Sequence, residues 1–152
     1  MKIAYMLPLN SIFFGRADGV FIQAETFADS LNASGHQATI VKFGETYDWK
    51  SFDIIHVFCM WTGLPYFMEN FLKRSQAAIV YSPLIDAHRQ PIFSRLASWC
   101  DFPPLHMVSP WSDIRKSVPC VTRWQARSKH EMRYIQKALQ VPEEKIDIVP
   151  LI

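Results

Sequence analysis

The feature that most constrains this chain is its short, unbroken apolar runs, each followed by a helical pattern. The first run is Ile3-Ala4-Tyr5-Met6-Leu7, stopped by Pro8. Continuous rather than alternating apolarity suits a strand buried on both faces, as in a parallel sheet. Asn10 to Asp18 reads as a loop with Gly15 and Gly19 at its bends. Val20, Ala24, Phe27, Ala28 and Leu31 then recur at helical spacing, and Gly35 stands where a C′ glycine belongs. Thr39-Ile40-Val41 reads as the next strand. Parallel strands need such a crossover, so the opening is a β-loop-α-β unit. Its helix starts near Gly19, at the carboxyl end of the first strand, where open α/β sheets bind ligands.

The pattern repeats downstream. After a polar connection from Phe43 to Ser51, Ile54 to Phe58 is a third buried strand. Met60 to Pro65 is a loop, and Tyr66 to Arg74 a helix with Phe67, Phe71 and Leu72 facing in. Ala77 to Tyr81 is a fourth strand ended by Ser82-Pro83, and Leu84 to Trp99 becomes helical around Ile92, Phe93 and Leu96. Pro103-Pro104 breaks that helix, and Leu105 to Val108 is a short strand candidate. Trp111 to Lys116 is a helical turn, and Val118 to Thr122 a strand candidate near an edge because of Pro119. Ser128 to Glu131 matches a capping box opening a helix with Met132, Ile135 and Leu139 in its stripe. Pro142 to Glu144 is a turn, and Ile146 to Val149 a last strand. The expectation is one α/β domain over residues 1–152: a Rossmann-like, doubly wound, mainly parallel sheet with Ile3–Leu7 central and helices on both faces.

Composition removes several classes. A net charge of +2 gives no case for nucleic acid. Cys59, Cys100 and Cys120 are odd in number and far apart, which points to buried thiols in a reducing compartment. The opening run is too short and too strand-like for a signal peptide, so a cytoplasmic location is expected. The longest uncharged run, Ile54 to Met68, is too short to span a bilayer. No GxSxG, P-loop, HExxH or full GxGxxG occurs, which weakens hydrolase, NTPase, zincin and dehydrogenase readings. No pair of histidines has metal-ligand spacing, so no metal and no cofactor is expected.

Four stretches carry a resemblance. They are Met1 to Tyr5 with Asp18-Gly19-Val20; Phe27 to Leu31 through Gly35 to Val41; Asp53-Ile54-Ile55-His56; and Ser128 to Glu131 through Val141 to Pro150. In order and spacing they resemble the N-terminal domain of a retaining glycosyltransferase of the two-domain GT-B fold, in the large GT4 family. The resemblance implies one half of a GT-B enzyme, the acceptor-side domain, with the donor-binding C-terminal domain absent from this chain. The whole enzyme would transfer a sugar from a nucleotide-sugar donor to a glycan or lipid-linked acceptor with retention. The rival is a stand-alone Rossmann or flavodoxin-like module that binds a ligand without chemistry.

The resemblance and the pattern together select candidate residues. Arg16, Asp18 and Gly19 form the cleft loop, which in the family approaches the donor phosphates. A helix start suits an anion, yet Asp18 is equally suited to capping the helix itself, and Arg16 to a solvated loop position. His88, in Ile85-Asp86-Ala87-His88, follows the fourth strand, where the family often places a histidine near the reacting sugar. It is the catalytic candidate, although Ser82-Pro83 stands in the usual position. Trp61, Thr62 and Gly63, after the third strand, and Asp86 are candidates for an acceptor pocket. His56 reads as a hydrogen-bonded strand histidine. Lys129, Arg133 and Lys137 share one helix face, with Arg123 and Arg127 upstream. Solvation accounts for that face, and peripheral contact with anionic lipid at the inner face of the membrane stays open beside it.

Overall fold

The computed structural model describes residues 1–42, 44–59, 72, 75–85, 90–100 and 109–150. The elements follow in order as β1 (Lys2–Met6), α1 (Leu9–Phe14), α2 (Gly19–Ala33), β2 (Gln37–Ile40), β3 (Ile54–Phe58), β4 (Ala78–Ser82), α3 (Pro91–Trp99), α4 (Pro110–Ser117), β5 (Arg123–Ala126), α5 (Lys129–Leu139) and β6 (Ile146–Ile148). The six strands form one sheet in the order β2-β1-β3-β4-β5-β6. Every pairing is parallel. This is the Rossmann-like α/β fold that the apolar runs imply.

The strand order dictates where the helices go. The step from β1 to β2 runs one way along the sheet; the steps from β3 through β6 run the other. Right-handed crossovers then send their helices to opposite faces. Two packed clusters show this. On one face Ala24 and Ala28 of α2 meet Ile3, Tyr5, Leu7 and Phe58. On the other, Tyr134, Ile135, Ala138 and Leu139 of α5 and Ile114 of α4 meet Ala4, Ile55, Val57, Tyr81 and Trp124. Ile55, Val57, Phe58, Tyr81 and Trp124 are fully buried. Each large side chain of this kind contributes roughly 1.5–3 kcal/mol through burial.

Six expectations change. The middle pair of strands is β3 and β4, not β1, although β1 has a neighbour on each side. The stretch read as a loop from Asn10 to Asp18 contains α1 and a 3₁₀ turn, Gly15–Ala17. Gly15 sits at φ 54, whereas Gly19 has no positive φ and is the first residue of α2. Val118–Cys120 is a 3₁₀ turn, because Pro119 cannot donate to a ladder; the strand comes next, at Arg123–Ala126. Of the three cysteines read as buried, Cys100 is exposed and Cys59 and Cys120 are half-buried, because each stands at or beyond the end of its element. Separately, α3 turns its apolar stripe outward. Ile92, Phe93 and Leu96 are 50%, 63% and 58% exposed, while Ser94 and Ser98 are buried. Ser94 bonds the Tyr134 hydroxyl at 2.6 Å, and Arg115 lies over the Trp99 ring and donates to the Ser98 carbonyl at 2.8 Å. The helix thus packs on α4 and α5 through small polar residues.

The loop from Met60, the helix expected over Tyr66 to Arg74 apart from the buried Leu72, and the segment from Pro103 to Val108 lie outside the described residues. Among the described residues no helix is long and apolar enough to cross a membrane.

Candidate functional site

The strand order reverses at β1, which pairs with β2 on one side and β3 on the other. The crevice outside the carboxyl ends at such a reversal is where open sheets take ligands. A cleft of ≈ 560 Å³ lies there, walled by Asp18, Gly19, Gln23 and Phe27, by Cys59 after β3, Leu84 after β4 and Arg127 after β5. Segments that follow four different strands therefore meet at one cavity.

Two helix starts frame it. At α2, Asp18 leaves the helical conformation at φ −109 and ψ 126 and caps the first turn. Its Oδ1 accepts from Val20 N at 2.8 Å and Phe21 N at 3.1 Å. Its second oxygen takes no partner among the described residues. At α5, Ser128 accepts from Glu131 N at 3.2 Å, the first half of a capping box. The second half is altered. Glu131 reaches past the cap to Arg127 N at 2.7 Å and across to Ile85 N, after β4, at 2.7 Å. Arg127 closes the clasp, pairing with Glu131 at 3.1 Å and donating to the Ile85 carbonyl at 3.1 Å. Glu131 is only 4% exposed, and the donors from Ile85 and Arg127 satisfy its side-chain oxygens in that buried position.

Beneath the cleft a polar chain crosses three strands. Ser82 donates to Gln125 Oε1 at 3.0 Å, so His56 Nε2 carries the proton it shares with Ser82 at 2.7 Å. Burial pulls the His56 pKa down to about 3, which keeps the ring neutral. The ring stacks on Phe58 with centroids 4.3 Å apart. His56 is thus the bonded strand histidine that its sequence position suggests, beneath the cleft rather than in its lining.

Backbone strain collects at the same place. Cys59 at φ 62 and Leu84 at φ 50 adopt a conformation that is costly for residues with side chains, and both line the cleft. Cys59 N donates to the Ser82 carbonyl at 2.8 Å, and the Tyr81 hydroxyl donates to the Cys59 carbonyl at 3.0 Å. Neighbouring strands therefore hold the turn at Cys59 in place.

Of the residues selected from sequence, Asp18 and Gly19 line the cleft together. Arg16 does not; it bonds Glu25 at 3.0 Å, which commits the charge that the sequence leaves free. Gly19 needs no special φ, and a Cβ there would meet nothing within 4 Å. Neither backbone conformation nor contact among the described residues requires glycine at this position. Trp61, Thr62, Gly63, Asp86 and His88 lie outside the described residues. Lys129, Arg133 and Lys137 are exposed on α5. Arg123 pairs with Asp147, and Arg127 belongs to the clasp. Among the described residues no cluster of His, Cys, Asp and Glu could hold a metal ion.

Sequence reasoning missed Gln23, Thr26, Cys59, Leu84 and Arg127. Gly19, Gln23, Thr26 and Phe27 stand at helical spacing, so one face of α2 carries most of this wall. That spacing could have found Gln23 and Thr26. Cys59 and Leu84 had no signal, because a positive φ at a non-glycine is not written in residue type.

No family model matches this chain, and no curated protein matches it.

Proposed function

We propose that this chain is the acceptor-side domain of a GT4-like retaining glycosyltransferase, acting on a sugar from a nucleotide-sugar donor and a glycan or lipid-linked acceptor. The observation that carries the reading is the cleft at the strand reversal, open beside the first turn of α2 and walled from four strand ends. The four sequence stretches that resemble the family supply the chemistry. Asp18-Gly19 at the start of α2 and the turn at Cys59 supply the described acceptor-facing surface. His88 and the segment Trp61-Thr62-Gly63 with Asp86 stay candidates from sequence alone. Nucleotide recognition, in this reading, belongs to a second domain.

Calorimetry of this chain with a panel of nucleoside diphosphate sugars is expected to show nothing tighter than about millimolar. Micromolar binding would favour the stand-alone module instead. In the full-length protein, sugar transfer with retained anomeric configuration is the expected activity; ligand binding without transfer would contradict the enzyme reading.

A further inference from the structure

We infer that the cleft selects an uncharged, hydroxyl-rich ligand and turns phosphate groups away, because Asp18 already occupies the anion position at the start of α2. The inference rests on the cleft being the acceptor-side site and adds the ligand chemistry that the site accepts.

A vacant helix start attracts anions through its unpaired N–H groups and its dipole. Here Asp18 Oδ1 already takes Val20 N and Phe21 N. The described cations nearest this helix start and in the lining are committed elsewhere. Arg16 is held by Glu25, and Arg127 by Glu131 and the Ile85 carbonyl. Among the described lining residues, a phosphate entering the cleft would face the Asp18 carboxylate without a free counter-charge.

The remaining polar atoms call for donors. Asp18 Oδ2 is an open acceptor, and Thr26 donates its hydroxyl proton to the Ile22 carbonyl at 2.8 Å, which leaves its oxygen as an acceptor. Gln23 also lines the cleft, with its Nε2 sealed from solvent and out of a ligand's reach. A hydroxyl can donate to the two oxygens, whereas an ionised phosphate has no proton to give. Val20, Phe27 and Leu84 supply an apolar wall suited to the carbon face of a sugar ring.

The test is an NMR titration of backbone amides in the wild type and in Asp18→Asn. Asparagine keeps the cap and removes the charge, so the fold is retained. The probes are methyl glycosides and inorganic pyrophosphate. In the wild type, methyl glycosides are expected to shift the amides from Gly19 to Gln23 and pyrophosphate to leave them unmoved. In Asp18→Asn, pyrophosphate binding at those amides is expected to rise at least tenfold. Pyrophosphate binding equally well to the wild type would overturn the inference, as would failure of methyl glycosides to shift these amides. A melting scan confirms that both proteins are folded. Failure of the full-length protein to transfer sugar, with the titration as expected, would sink the enzyme reading and leave the charge selection standing.

Discussion

The two helix starts at the cleft use a carboxylate in opposite ways. At α5, Glu131 is buried and fully engaged, tying the segment after β4 to the segment after β5. At α2, Asp18 lines the cavity, satisfies two N–H groups of its own helix through one oxygen and leaves the other without a partner among the described residues. An acidic residue near a helix start is thus a fastener in one place and part of a binding wall in the other. Burial and the reach of the side chain decide between them. Glutamate at the third helical position spans to a neighbouring strand end, whereas aspartate at the cap reaches only its own first turn.

The largest expected effect is at Glu131. Glu131→Ala leaves the Ile85 and Arg127 N–H groups without their acceptor and Arg127 without its partner. The expected loss is about 3 kcal/mol of unfolding free energy, a drop on the order of 10 °C in Tm. A calorimetric scan checks it; a shift under about 3 °C would mean that the clasp is no fastener.

The next effect lies beneath both helix starts. The folded pKa of His56 is depressed to about 3, below the ordinary value of about 6.5 in the unfolded chain. Between these values the unfolded state binds a proton that the folded state refuses. The contribution is therefore complete above about pH 6.5 and is lost as pH falls toward 3. His56→Leu removes this part of the acid limb, so its denaturant midpoint is expected to fall less between pH 7 and 4 than that of the wild type. Parallel curves would show that His56 is not kept neutral.

Asp18 sharpens the contrast with a smaller effect. Asp18→Ala is expected to cost about 1 kcal/mol, and Asp18→Asn much less, because asparagine caps a helix as well as aspartate. Equal losses in the two variants would mean that charge, not capping, holds the turn. The smallest effect is at Arg16, whose pairing with Glu25 is exposed. Arg16→Ala is expected to leave the melting temperature unchanged within error, since exposed ion pairs contribute little.

Much of this fold is legible in the chain. β1, β3 and β4 are written as unbroken apolar runs because both of their faces are covered. Gly35 at φ 83 closes α2 as expected, with His36 N bonding the Leu31 carbonyl at 3.0 Å. β5 escaped notice because its alternate residues are polar: Arg123 is exposed and paired with Asp147, and Gln125 is buried but satisfied by Ser82, so no apolar run marks the strand. α1 escaped because it is under two turns long, has no side-chain cap and exposes Phe13 and Phe14. The place of β1 in the sheet escaped because strand order is set by crossovers, not by any residue of β1. At the site, Asp18 and Gly19 were legible from the strand-to-helix junction. The commitment of Arg16 to Glu25 was not, since it depends on how the 3₁₀ turn at Gly15–Ala17 folds back along α2.

The central claim, that a ligand approaches the first turn of α2, is tested most directly at Gly19. A Cβ there meets nothing among the described residues, so a loss of transfer in a stable variant is assigned to what enters the cleft. Transfer rate and melting temperature of Gly19→Val in the full-length protein should be measured together. The expected result is a melting temperature within about 2 °C of wild type, since a β-branched residue costs only a few tenths of a kcal/mol at a helix start, and a transfer rate at least tenfold lower. A stable Gly19→Val protein that transfers sugar at the wild-type rate would contradict the account.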